Sequence, residues 1–197
     1  MKSILLSLIF AIVVALPLSV FSQETSETLS RRELRKLEKK EKRLQEANKS
    51  AEARSKLLSM INDSSFILEA TLVSNSIVGQ STPVSSRTNY VAVAGEEVVI
   101  QFAFEGSLGV NGLGGITNTG TLVSYSVDAE NPRKPIFING KIRPNPGTVL
   151  IPFNISVQDN GAAQFSFSNP RGDRFTLSGF LKSLQETKVF QGTPVFR

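Results

Sequence analysis

The chain has no cysteine, no histidine and no tryptophan among its 197 residues, and only two tyrosines. Without cysteine there can be no disulfide, no thiolate metal site, no thiol nucleophile and no lipid-modified N-terminal cysteine. Without histidine the commonest general base and the commonest metal ligand are missing, and no Ser-His-Asp triad can be assembled. Catalysis would have to rest on carboxylates, Lys, Tyr or Ser. Glu69, Glu97, Glu105 and Asp128 are scattered, and Asp128-x-Glu130 lacks the remaining ligands of a calcium loop. The reading is non-enzymatic, with no catalytic residue, cofactor or metal site expected.

What is present is enough for one domain with extensions. Apolar residues make up 40% of the chain, and thirteen phenylalanines are its main large filler. The net charge of +5 is unevenly placed. Residues 31–56 carry eleven Lys/Arg against five Glu, whereas residues 57–197 carry ten charges of each sign. The basic character therefore belongs to one segment.

At the N-terminus, Met1-Lys2-Ser3 precedes an apolar run from Ile4 to Leu16, then Pro17, then Val20-Phe21-Ser22. A positive start, a short apolar stretch and small residues at a cleavage site define a secretory signal peptide over 1–22, cut between Ser22 and Gln23. The run falls short of the ~20 residues of a membrane-spanning helix. The expected location is the periplasm or cell envelope.

Residues 23–62 read as a charged helical arm. Ser30 and Glu33 have the spacing of a capping box, and residues 31–61 contain no Gly or Pro. Leu37, Leu44, Ala51 and Leu58 recur every seven residues. Their partner row, Leu34, Glu41, Asn48 and Ser55, is no coiled-coil seam. Only Leu57, Leu58 and Ile61 are placed to dock on a core. Arg31, Arg32, Arg35, Lys36, Lys39, Lys40, Lys42 and Arg43 could associate with an anionic surface, or the arm could be a solvated spacer. Nucleic acid is not the expected partner of an exported protein.

From Ser64 the apolar period becomes two, the signature of strands. Phe66, Leu68, Ala70 and Leu72 form one set; Val98, Ile100, Phe102 and Phe104 another; Val149, Ile151, Phe153 and Ile155 a third. Phe165 with Phe167 and Phe175 with Leu177 follow, and weaker strands lie near 88–94, 116–127 and 135–142. About eight strands without interposed helices over 63–197 make an antiparallel β-sandwich or small β-barrel. A Gly95-Glu96 turn pairs Val93 with Val98. A three-residue Asp159-Asn160-Gly161 loop pairs Val157 with Ala163 and keeps apolar opposite apolar. Pro152 cannot donate to a ladder, so an edge strand or a bulge is expected there.

Six glycines fall within Gly106–Gly120. Counting from Gly109 as a Walker loop places Gly115 where lysine is needed, and the residues that follow are strand-like rather than helical. Gly112, Gly114 and Gly115 are therefore read as structural, as are Gly95 and Gly161. Arg171-Gly172-Asp173 is ordinary turn chemistry.

The segments "FILEA", "STPVSSRTNYVAV" from Ser81 to Val93, "NGLGGIT" from Asn111 to Thr117, "RFTLSGFL" and "KVFQG" together resemble the domain-of-unknown-function 4251 family of Bacteroidetes envelope proteins over roughly Ser64 to Gly192. The resemblance implies an exported β-domain with no assigned activity, ligand or catalytic residue, so no site is carried over. It also implies frequent lipoprotein signals. This chain lacks the cysteine and is not expected to be a lipoprotein. The function expected is a non-catalytic binding or interaction module whose partner is an envelope component or a small apolar ligand. The alternative is a structural envelope protein tethered by its basic helix, and a carboxylate-based hydrolase stands third. Whether the β-domain encloses a cavity or has a filled core is the deciding observation.

Overall fold

The computed structural model describes residues 30–75, 79, 81–104, 111–168 and 172–192; the signal segment, Ser22 and Gln23 lie outside them. Helix α1 runs Arg31–Asn62. The Ser30 amide donates to Glu33 Oε2 at 2.9 Å, and the Ser30 hydroxyl accepts from the Arg32 amide at 3.4 Å. The carboxylate half of the capping box is thus formed, while the hydroxyl serves the second helical amide rather than the third.

The chain divides into two compact units between Lys40 and Glu41; the second contains the rest of α1 and all the strands. Every residue from Arg31 to Ala53 is exposed. The buried helix residues are Arg54, Leu57 and Ile61, a stripe at three- and four-residue spacing.

Nine strands form among the described residues: β1 Ser65–Asn75, β2 Ser81–Pro83, β3 Tyr90–Ala94, β4 Glu97–Ala103, β5 Gly115–Asp128, β6 Ile136–Asn145, β7 Ile151–Val157, β8 Ala162–Ser168 and β9 Arg174–Lys182. The order is β1-β3-β4-β5-β6-β7-β8-β9, and β9 pairs back onto β1. All pairings are antiparallel, so eight strands close a barrel and the sandwich alternative falls. The short β2 adds to β1 alone, through Leu72–Ser74, beyond the stretch that β3 uses.

Both hairpins have the expected register. Val93 faces Val98 across Gly95-Glu96, and Val157 faces Ala163 across Asp159-Asn160-Gly161. Two expectations fail. Pro152 is neither on an edge strand nor at a bulge: β7 pairs on both sides, and the β8 ladder begins only at Phe153, one residue after the proline. Leu72 does not continue the inward set of Phe66, Leu68 and Ala70. The pairing with β9 shifts between Ala70 and Leu72, which puts Thr71 in a bulge. One extra residue reverses the phase, so Val73 is buried and Leu72 is 41% exposed. Phe104 and Val149 lie outside β4 and β7 and are exposed.

The barrel interior is packed with side chains. One continuous core joins Leu57 and Ile61 of α1 to Phe66, Leu68, Val91, Ile100, Ile138, Ile155 and Leu177. Phenylalanines form a chain leading outward from it: Phe153–Phe165 and Phe165–Phe167 have ring centroids 5.5 Å apart, and Phe167–Phe175 5.4 Å. The apolar hollow bordered by Val98, Ile100, Gly120, Ile142 and Phe167 is about 130 Å³, well below the ~300 Å³ at which ordinary ligand pockets begin.

Candidate functional site

With the interior filled, the polar chemistry lies on the outer face. Inward residues alternate with outward ones, so cross-strand partners share a face. On the outside of β5 to β9, Ser126 faces Asn139, Asn139 faces Asn154, Asn154 faces Ser166, and Ser166 faces Thr176. Five strands thus align one row of hydroxyl and carboxamide side chains. Beside it Ser124 faces Lys141, and Ser168 faces Arg174. All of these but Thr176 line an open groove of about 520 Å³.

Asn139, Lys141 and Asn154 are exposed. The Asn139 and Asn154 carboxamides make no hydrogen bond among the described residues. Ser166 and Thr176 are joined through their hydroxyls at 3.0 Å. Gly140 lies behind the row, where a Cβ would come within 2.4 Å of the Ser124 carbonyl oxygen and 2.6 Å of the Phe153 ring. None of the described lining residues is a carboxylate. The arrangement offers paired donors and acceptors and a cation, which suits hydroxylated or anionic groups. It holds no general acid or base of the carboxylate kind.

The expected structural glycines sit in the turns and at one close approach. Gly95, Gly112, Gly114 and Gly161 have φ of +63°, +73°, +86° and +83°. Gly115 has ordinary φ, but a Cβ on it would lie 1.9 Å from the Phe102 carbonyl oxygen of the neighbouring strand. Residues 105–110, with Glu105, Gly106 and Gly109, lie outside the described residues. In the rest of the glycine stretch the amides of Leu113 and Gly115 donate to Asn111 Oδ1 at 2.9 and 3.0 Å. Amides that a phosphate cradle would need are committed to this buried carboxamide.

The candidate carboxylates are not gathered in the groove. Glu69 accepts from Lys182 Nζ at 2.6 Å and from the Thr187 hydroxyl at 2.8 Å. Glu97 opens β4, and Asp128 ends β5, with its Oδ1 accepting from the Glu130 amide at 3.4 Å. No group of three or more metal-binding side chains occurs among the described residues. Arg171 lies outside the described residues, and Gly172 has φ of +93°. The eight cations from Arg31 to Arg43 are exposed on α1.

Two contributions were invisible in sequence. Arg54, within the basic run, has a side chain only 9% exposed; its Nη1 lies 2.6 Å from Asp159 Oδ1 and donates to the Lys134 carbonyl at 3.0 Å. Nη2 donates to the Ala129 and Asn131 carbonyls at 3.4 Å. Tyr125 donates from its hydroxyl to the Ile61 carbonyl at 2.8 Å, satisfying one of the last carbonyls of α1. Burial pushes the Tyr125 phenol well above its ordinary value, and pushes Tyr90 up to about 12.

A helix whose last turns join the core of a closed eight-stranded antiparallel barrel defines the class. The domain of unknown function DUF4251 matches residues 48–181, and the chain belongs to that family. It is similar to the crystal structure of a DUF4251 family protein from Bacteroides eggerthii. The identity is 26% and the TM-score 0.56, over 70% of this chain and 92% of that one. No curated protein matches.

Proposed function

We propose that this is an exported, non-catalytic binding module of the cell envelope. Its ligand is a hydroxyl-rich anionic polymer held in the outer groove over β5 to β9. The observation that carries the reading is the row Ser126, Asn139, Asn154 and Ser166 beside Lys141: unpaired carboxamides and an ammonium in one groove, with no carboxylate among the described lining residues. Carboxamides both donate and accept, as adjacent sugar hydroxyls require, and the ammonium complements a carboxylate or sulfate. The same lack of acid–base partners supports a non-catalytic role. Export rests on the sequence of residues 1–22, and N-terminal sequencing of envelope protein should begin at Gln23.

The exposed cations of Arg31–Arg43 favour a second reading, in which the helix associates with anionic surfaces. One experiment separates the two. A fluorescent polyuronate oligosaccharide is titrated by anisotropy into the full chain, into K141A and into a variant with Arg31, Arg32, Arg35 and Lys36 changed to Gln. The groove reading expects K141A to weaken binding about tenfold, with little effect of the helix variant. Loss only in the helix variant supports the second reading, and no binding to any form ends the first.

A further inference from the structure

A second row of outward side chains crosses β1, β3, β4 and β5. Glu69 faces Tyr90, Tyr90 faces Gln101, and Gln101 faces Thr117. They are 9%, 2%, 0% and 0% exposed. Polar side chains on the outside of a barrel are buried only if something covers them, and here it is the chain itself after β9. The segment from Ser183 to Gly192 runs along the row from Glu69 to Gln101. The Thr187 hydroxyl donates to Glu69 at 2.8 Å. Gln101 Nε2 donates to the Phe190 carbonyl at 2.8 Å, and Gln101 Oε1 accepts the Gly192 amide at 2.7 Å. The Phe190 amide donates to the Arg87 carbonyl at 2.8 Å.

One carboxamide thus reads a carbonyl and an amide two residues apart on one backbone, as a peptide ligand would be read. It is held for the purpose: the Thr117 hydroxyl donates to Gln101 Oε1 at 2.8 Å, and Gln101 Nε2 also donates to the Thr88 carbonyl at 3.0 Å. The site also selects. A Cβ at Gly192 would lie 2.7 Å from the Asn111 carbonyl oxygen and 2.9 Å from Leu113, so only glycine fits there. The segment itself is lightly held. Phe190, its largest side chain, is 62% exposed, and its attachments are mainly polar. Segments with few buried apolar contacts open at low free-energy cost.

We propose that the face over β1, β3 and β4 is a binding site for a polypeptide segment, occupied in cis by Ser183–Gly192 and open in trans to the same segment of a second copy of this chain. This site is independent of the groove over β5 to β9. The test inserts a protease site between Lys182 and Ser183, cuts it, and adds a labelled synthetic peptide of residues 183–192. The cut chain should keep its far-ultraviolet circular dichroism, release its own segment and take up the peptide. A peptide carrying Gly192→Val should bind at least tenfold more weakly, which tests the site without altering the protein. Q101A in the cut chain should weaken uptake to a similar degree. Unfolding on release, or a folded cut chain that takes up no peptide, would overturn the proposal. Uptake of peptide by a chain whose intact form stays monomeric by sedimentation at millimolar concentration would overturn the second copy as donor.

Discussion

The two outer faces of the barrel carry rows of similar chemistry and opposite accessibility. Over β5 to β9, Ser126, Asn139, Asn154 and Ser166 line an open groove; over β1 to β5, Glu69, Tyr90, Gln101 and Thr117 are buried beneath Ser183–Gly192. Both rows sit at outward positions of alternating strands, and local sequence does not distinguish them. What separates them is a segment more than 80 residues downstream of Gln101. Glu69, Gln101 and Thr117 on the covered face are paired with one another or with the segment, whereas the Asn139 and Asn154 carboxamides on the open face make no hydrogen bond among the described residues.

The largest effect that would break this contrast comes from the backbone between the faces. Gly115→Ala drives a Cβ against the Phe102 carbonyl, so β4 and β5 must separate. A loss of more than ~4 kcal/mol is expected, beyond what ordinary substitutions cost. Gly112→Ala, whose Cβ would meet open space at φ +73°, should cost about 1 kcal/mol. Urea titration of both variants checks the ordering, and equal costs would mean that close approach is not what Gly115 serves.

Next is the direct exchange between rows. Gln101→Ala leaves the Thr117 hydroxyl, the Thr88 and Phe190 carbonyls and the Gly192 amide short of a partner. About 2–3 kcal/mol should be lost, since unsatisfied buried polar groups carry their full desolvation cost. Asn154→Ala on the open face should change stability by no more than about 0.5 kcal/mol. Thermal midpoints of the two variants settle this, and similar shifts would erase the distinction between the faces.

A comparable difference is expected along α1. Arg54→Met removes the ion pair to Asp159 and the bonds to three carbonyls, and should cost about 2 kcal/mol. Changing exposed Arg43 to Met should be neutral within about 0.5 kcal/mol. Chemical denaturation reads both, and a neutral Arg54→Met would show that α1 is held by Leu57 and Ile61 alone.

The smallest effect is confined to alkaline pH. Tyr90 lies in the covered row, and its folded pKa is raised to about 12 from 10.0 by burial. Above pH 10 the unfolded chain ionises first and binds fewer protons than the folded one. Stability contributed by the neutral phenol is therefore complete below pH 10 and is lost as pH rises towards 12. Denaturation between pH 7 and 11.5 should show this decline shallower in Tyr90→Phe, with a difference between the proteins that does not vary with pH below about 9. An unchanged slope would mean that Tyr90 is accessible and the covering segment loosely placed.

Much of the barrel was legible because strand alternation and turn chemistry are local. Val91 and Val93 set against Val98 and Ile100, and Ile155 and Val157 against Ala163 and Phe165, give both hairpin registers from a few residues each. Closure was not legible, since the β1–β9 pairing joins residues 100 or more apart and no local pattern records it. The bulge at Thr71 escaped notice because Leu72 continues the apolar alternation in sequence while the added residue turns it outward. Arg54 was lost in a run of cations that reads as a solvated helix; only its three- and seven-residue offsets to Leu57 and Ile61 mark it as facing the core. The groove residues are plain serines and asparagines on strands. Their alignment depends on four successive registers, beyond what spacing alone can specify.

The central claim is that ligand binds outside the barrel, on the open face. The direct test is a proton–nitrogen correlation spectrum of the full chain titrated with a polyuronate oligosaccharide. The account predicts shifts concentrated at Ser124, Ser126, Asn139, Lys141, Asn154 and Ser166, with Gln101 and Gly192 unmoved. Shifts confined to Arg31–Arg43, or centred on the core residues Val98 and Ile142, would contradict it.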